Sequence, residues 1–145
     1  MSDAAGTGSL QDDEVVIRFV VSKRNIRQDK TVKPEAFMPP KSLDLLVTHV
    51  ANRSMQAIWE RGHAVAKSHA IAAKREIRLI GGAELTSRDV RAAHPLDVVE
   101  APIPEDQWHA HIVGWPPFGE EKERTKMLMI LLASRAKYQP FPIPT

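Results

Sequence analysis

The run VVIRFVV at residues 15–21 constrains the fold of this chain more than any other segment. Its residues are mostly β-branched, with acids before the run and bases after it. This composition is typical of a buried strand, because branched side chains pack well on a pleated surface. Residues 43–50, with apolar side chains at alternate positions, predict a second strand that pairs with the first. The domain is therefore expected to form around a sheet.

Three helices and three further strands are predicted downstream. Ser54 is a suitable N-cap for an amphipathic helix that begins at Met55. Thr86 and Asp89 have the spacing of a capping box, which predicts a short helix to about residue 93. The last helix is predicted over 120–137, with acids at its start and bases at its end. The further strands are predicted at 76–80, 96–99 and 109–113, the first of them ending at Gly81 and Gly82.

This order of elements lacks the glycine-rich turn of a dinucleotide-binding fold. We expect an α+β fold class: a mixed or antiparallel sheet of about five strands with three helices, mainly on one face. The domain organisation expected is a disordered acidic tail at 1–14, one domain at 15–138 and a proline-rich tail at 139–145.

Composition narrows the cellular setting. The chain has no cysteine, which excludes disulfides, thiolate zinc sites and cysteine nucleophiles, and this fits a cytoplasmic protein. Its longest apolar run, 127–133, is far shorter than the roughly 20 residues that a membrane span needs. We therefore expect no membrane association.

Positive charge is concentrated in two clusters, although the net charge is only +2. The first runs from Arg18 to Lys33 and the second from Lys67 to Arg78. Such clusters can contact phosphates, although solvated surface charge is an equally ordinary explanation. Phe37 stacks on a base in the first interpretation and plugs the loop onto the core in the second. The candidate phosphate- or nucleic-acid-binding residues are Lys23, Arg24, Arg27, Lys30 and Lys33.

His109 and His111 are the candidates for metal binding or catalysis. Side chains two residues apart on a strand project to the same side, so the two imidazoles can share an ion or act in acid/base chemistry. A metal site needs a third ligand. His49 is a further catalytic candidate and, with His69, Glu100 and Asp106, a candidate third ligand. The alternative is that each histidine hydrogen-bonds or packs locally, and no cofactor is predicted.

Large apolar residues in irregular, proline-rich segments predict an interface. More of them occur there than one small domain is expected to bury, which favours a homo-oligomer or a complex with another protein subunit. The candidate partner-binding residues are Trp108, Trp115, Phe118 and Phe141.

Several segments resemble those of a family of small bacterial proteins without an assigned activity. They include AFMPP at 36–40, IWERG at 58–62 and HAHIVGWP at 109–116, and the resemblance extends over roughly residues 15–135. Members of that family more often carry Asn at the position of His111. The resemblance implies a bacterial cytosolic protein and carries over no site.

Three functional hypotheses follow. The first is a non-catalytic binding or adaptor domain that acts in a protein complex. The second is a metal- or histidine-dependent hydrolase, such as a nuclease or phosphoesterase, that uses His109 and His111, with Arg24 or Arg27 clamping phosphate. The third is a nucleic-acid-binding module that uses the basic loop at 18–33.

Overall fold

The computed structural model describes residues 8–141, which form one antiparallel sheet and three α-helices. The α+β class is therefore confirmed, with six strands in the order β4-β5-β2-β1-β3-β6. The elements are β1 (Val15–Val20), β2 (Leu45–His49), α1 (Met55–Ala73), β3 (Gly81–Thr86), α2 (Ser87–Ala92), β4 (Asp97–Glu100), β5 (His109–Val113), α3 (Lys122–Arg135) and β6 (Lys137–Pro140).

Strand β1 lies inside the sheet and contributes to two cores. It pairs with β2, as predicted, and with β3 on its other side. Because side chains alternate along a strand, Val16 and Val20 join the core that contains residues of α2 and α3. Ile17 and Phe19 join a second core formed with α1.

The helices accordingly lie on both faces of the sheet. Leu128 and Leu132 of α3 belong to the core of Val16, whereas Ile58 and Trp59 of α1 pack with Ile17. The expectation that the helices lie mainly on one face thus describes α2 and α3 but not α1. The central strand is apolar on both sides, and each of those sides requires a cover.

Two of the predicted helix starts have the expected capping geometry. The Ser54 hydroxyl accepts a hydrogen bond from the Ala57 amide at 3.1 Å. Thr86 and Asp89 form a reciprocal capping box at the start of α2. Each cap satisfies amide donors that the first turn of a helix leaves without an internal partner.

Strand β3 differs from its prediction, because it begins at Gly81 instead of ending there. Both glycines are needed inside the strand for close packing. A Cβ on Gly82 would lie 2.5 Å from Ile17 Cγ2, and one on Gly81 would lie 2.5 Å from the Gln139 carbonyl oxygen. The predicted strand at 76–80 was therefore wrong in its position.

The segment after α3 also differs from its prediction. Residues 137–140, expected to end a helix and begin a proline-rich tail, form β6 and pair with β3. Pro140 fits because it lies at the end of an edge strand, where a missing amide is tolerated. The remainder of the expected tail, 142–145, lies outside the described residues.

Residues 8–14, expected to belong to a disordered tail, pack against the domain. Leu10 is buried, and its amide donates to the Val98 carbonyl at 3.1 Å. Asp12 forms an ion pair with Arg91 at 2.6 Å. Residues 1–7 of that expected tail lie outside the described part of the chain.

The loop between β1 and β2 is ordered by two 3₁₀ turns, Lys23–Asn25 and Pro34–Phe37. Phe37 is completely buried, so it plugs the loop onto the core and is not free to stack on a base. The Arg18 side chain ties this loop to the sheet, because its Nε donates to the Ala36 carbonyl and its Nη1 to the Leu46 carbonyl, each at 3.0 Å.

Candidate functional site

The rings of His109 and His111 are in contact on β5. Their centroids are 4.8 Å apart and their planes are nearly perpendicular. His109 Nδ1 lies 2.9 Å from the Ala101 carbonyl oxygen. Since a carbonyl only accepts, this nitrogen carries a proton and Nε2 is the remaining acceptor when the ring is neutral. Burial lowers the pKa of His111, the charge of His109 lowers it further, and Asp44 acts in the opposite direction.

The other candidate ligands have different partners. His49 Nε2 lies 3.4 Å from Glu14 Oε1, and Asp106 Oδ2 lies 3.2 Å from Arg61 Nε. His69 and Glu100 are exposed. Within residues 8–141, no group of three or more His, Asp or Glu side chains is arranged to hold a metal ion. The histidine pair thus supplies two potential metal ligands, and the described residues do not add the third ligand that a metal site needs.

Trp108 contacts His49 and Arg53 of its own chain. The His49 ring meets it edge-on at 6.1 Å, and the Arg53 guanidinium lies 5.2 Å from its ring centroid. Arg53 also donates to the Thr48 hydroxyl at 2.7 Å. Trp108 is half-buried, and these contacts give it a structural role at the end of β2.

Two further partner-binding candidates pack within the domain. Trp115 is buried, and its Nε1 donates to the Ile112 carbonyl at 3.0 Å. Phe141 meets His63 and Trp59 edge-on, at centroid distances of 4.5 Å and 5.7 Å. Trp115 therefore belongs to the core of the domain, and Phe141 packs on α1 while its remaining surface borders two grooves.

Phe118 is the candidate that the fold leaves exposed. Its exposed fraction is 57%, and Lys41 Nζ lies 5.8 Å from its ring centroid. Phe118 borders an apolar cavity of about 340 Å³ at the N-terminal half of α3. The AFMPP segment contributes Met38 and Pro39 to the same lining. Two segments separated by some eighty residues of sequence therefore meet in one site.

Three prolines and two methionines line this apolar cavity. Pro39, Pro116 and Pro117 line it and have no amide proton to donate. Met38 and Met129 add flexible apolar surface that can adapt to a ligand. Charged side chains of both signs complete the lining: Glu35, Glu120, Lys122 and Lys126.

The outward side of α3 also exposes apolar residues. Met127 and Ile130, one turn apart, have exposed fractions of 56% and 40%. Glu123 precedes them and Ser134 follows them on the same side of the helix, and both are exposed. We refer to these four residues as the α3 stripe.

The candidate phosphate-binding residues lie mostly at the surface. Lys23, Arg24, Arg27 and Lys30 are exposed, whereas Lys33 is half-buried. Arg27 Nη1 is 3.3 Å from the Thr31 hydroxyl and 3.2 Å from the Val32 carbonyl, which fixes its position on the loop.

Sequence reasoning did not find the apolar cavity or the α3 stripe. Both proline-rich segments were conspicuous, but their meeting depends on how the loop packs on α3. The stripe had a weak signal, because apolar residues at helical spacing allow either Met127 and Ile130 or Leu128 and Leu132 to face the core, and the structure buries the second pair.

No known protein family, curated protein or solved structure matches this chain. Within residues 8–141, no helix combines the length and the apolar character needed to cross a membrane.

Proposed function

We propose that the protein is a non-catalytic assembly domain that acts in a protein complex. We further propose that a second copy of the chain binds to its α3 stripe. One observation carries the proposal. Six large apolar side chains within residues 8–141 are exposed, and four of them lie at the apolar cavity or on the α3 stripe. Exposed apolar groups concentrated in this way are typical of an interface. The four are Met38, Phe118, Met127 and Ile130.

The α3 stripe supports a second copy as the partner because it is self-complementary. When two α3 helices cross in an antiparallel manner about a two-fold axis, Met127 of one copy faces Ile130 of the other. The same register places Glu123 opposite Ser134, whose hydroxyl donates to the Leu131 carbonyl of its own helix at 2.8 Å and brings no charge that would repel the carboxylate. An isologous dimer needs this symmetry, whereas binding to an unrelated protein does not.

The proline walls of the cavity also favour a helical partner element. A segment that binds by β-strand addition takes main-chain hydrogen bonds from its binding site, while a helix satisfies its own backbone. The three prolines of the lining have no amide proton and cannot donate such bonds. The cavity is therefore better suited to side chains presented by a helix.

The hydrolase hypothesis has less support. His109 Nδ1 is engaged with a backbone carbonyl, and the described residues offer the pair no third ligand. Assignment of the assembly to the cytoplasm stays a prediction, supported by the lack of cysteine.

Sedimentation velocity over a wide protein concentration range tests the proposal. We expect a reversible monomer–dimer equilibrium in the wild type. Met127→Glu and Ile130→Glu should each weaken the dimer at least about tenfold, because a buried carboxylate without a partner is costly. Ile71→Glu is the matched control, since Ile71 is 70% exposed on α1. A wild type that is monomeric throughout, or a dimer insensitive to both stripe variants, overturns the proposal.

Disulfide trapping tests the antiparallel register. Because the chain has no native cysteine, only the introduced cysteines can cross-link. Glu123→Cys and Ser134→Cys should cross-link when the two single variants are mixed. Neither should cross-link alone, because each cysteine then lies about 16 Å along the axis from its copy, beyond disulfide reach. Equal cross-linking of the single variants and the mixture contradicts the register.

A further inference from the structure

The two basic clusters of the sequence meet at the end of the sheet where β3 begins. One groove, of about 530 Å³, is lined by Lys23, Arg27 and Lys30 of the first cluster. An adjacent groove, of about 460 Å³, is lined by Lys67 and Arg78 of the second. Leu79 and Phe141 line both grooves, so they form one continuous surface. We refer to it as the basic groove.

The basic groove presents little negative charge. No carboxylate is among the described residues that line its first part. Glu76 lines the second part, and its Oε2 is 2.7 Å from Arg78 Nη2. Asp29 accepts hydrogen bonds from the hydroxyl and the amide of Thr31, at 2.6 Å and 3.0 Å. Among residues 8–141, no carboxylate lies within 4.0 Å of a Lys23, Lys30 or Lys67 amine.

Two aromatic rings line the basic groove together with these cations. Phe141 is half-buried and is held by its edge-on contacts with Trp59 and His63. Tyr138 lines the first part of the groove, and its hydroxyl donates to the Ile80 carbonyl at 3.0 Å. Both rings are therefore fixed before any ligand arrives, which reduces the entropy lost on binding.

We propose that the basic groove binds single-stranded nucleic acid, with lysines and arginines along the phosphates and a base against Phe141. Cations along a groove and an aromatic ring within it are the combination used by proteins that bind single strands. Duplex recognition usually places a helix or a two-stranded ribbon in a groove of the DNA. Here only Lys67 projects from an α-helix, whereas the other basic residues belong to the loop after β1 and to the segment before β3, and all of them line a recess. The groove borders the α3 stripe, because Arg27 also lines a small recess with Ile130 and Ser134. The stripe itself contributes no residue to the basic groove, and the proposal requires no self-association.

Fluorescence anisotropy with a labelled oligothymidylate of about 15 nucleotides tests the proposal. Affinity should fall steeply between about 50 mM and about 200 mM salt, because bound phosphates release counterions. The combined variant Lys30→Glu with Lys67→Glu takes one lysine from each cluster. It should lower affinity at least about tenfold and reduce the salt slope by about 1.4, the value for two single-strand phosphate contacts.

The matched control is Arg88→Glu with Arg124→Glu, which makes the same charge change at exposed positions on α2 and α3, outside both the basic groove and the apolar cavity. It should alter affinity less than about threefold, which corresponds to long-range field alone. Equal losses of affinity for the two double variants would show that only net charge matters, and this result would overturn the proposed site. Salt-independent binding, no binding at low salt, or equal affinity for the matching duplex overturns it as well.

Phe141→Ala tests the stacking contact separately. Thermal unfolding establishes that the variant is folded, and an abasic oligonucleotide of the same length supplies phosphates without bases. Stacking predicts about a tenfold loss of affinity for oligothymidylate and little change for the abasic strand. Equal effects on the two strands contradict a role in stacking.

Discussion

Gly81 of β3 lies directly against Tyr138 of β6. A Cβ on Gly81 would be 2.6 Å from Tyr138 Cε1 and 2.7 Å from its hydroxyl oxygen. Tyr138 cannot move away without losing its hydrogen bond to the Ile80 carbonyl. The absence of a side chain at residue 81 therefore permits β6 to join the sheet.

Gly81→Ala is expected to destabilise the fold by about 1–3 kcal/mol, the usual cost of an overpacked site. Urea denaturation measures this change. Gly8→Ala is the matched control, since its new methyl group would find its nearest neighbour at 3.9 Å, and its effect should stay within about 0.5 kcal/mol. Equal stability of the two variants would contradict the close approach.

Trp115 and Phe118 should respond in opposite ways. Trp115→Ala removes a buried side chain and its hydrogen bond to Ile112, which should cost about 3–5 kcal/mol of unfolding free energy. Phe118→Ala, at an exposed position, should change monomer stability by no more than about 0.5 kcal/mol. Chemical denaturation in the Met127→Glu background, which we expect to be monomeric, separates stability from association. A larger loss of unfolding free energy in Phe118→Ala than in Trp115→Ala would contradict the burial of Trp115.

Arg18→Lys tests the connection between β1 and the following loop. The Arg18 guanidinium spans two carbonyl oxygens, those of Ala36 and Leu46, and burial lowers its pKa to about 10. A lysine amine is a single point donor that cannot reproduce this fork. One carbonyl should lose its partner, at a cost of about 1–3 kcal/mol in urea denaturation. Unchanged stability would show that the two bonds are dispensable.

His111 should make stability depend on pH in the acid range. Because burial lowers its pKa in the folded state, the unfolded chain binds more protons just below the unfolded value of about 6.5. Stability contributed by the neutral ring is therefore present above that value and is lost as the pH falls toward the folded pKa.

Melting temperatures at about pH 7.5 and about pH 5 bracket this window and check the prediction. His111→Asn should lose less stability than the wild type over the interval. His69→Asn, at an exposed position on α1, should behave as the wild type does. A wild-type-like loss in His111→Asn would place the pH dependence elsewhere.

Local patterns predicted the elements whose causes are local. The β-branched run gave β1, and the caps at Ser54 and Thr86 gave the starts of α1 and α2. The predictions made from glycine and proline were wrong, because each of these residues normally ends a strand. Gly81 and Pro140 are accommodated by close strand packing and by an edge position, and both depend on neighbours that are distant in sequence.

For the candidate sites, too, local features could be predicted from the sequence, whereas contacts with residues distant in sequence could not. Strand alternation brought His109 and His111 together, but nothing in their spacing could show that His49 and Asp106 pair with Glu14 and Arg61 instead. The two basic clusters were visible as charge, and only the order of strands in the sheet explains why they share Leu79 and Phe141.

The hydrogen bonds of residues 8–10 to β4 have a consequence for solubility. An uncovered edge strand offers a template on which further chains can polymerise. Here the Leu10 amide donates to Val98, and the Glu100 amide donates to Gly8. At the opposite edge, Pro140 interrupts the donors of β6. A chain shortened to begin at Val15 would leave β4 open and should be prone to fibrous aggregation, although its sheet and both cores would keep nearly all their residues.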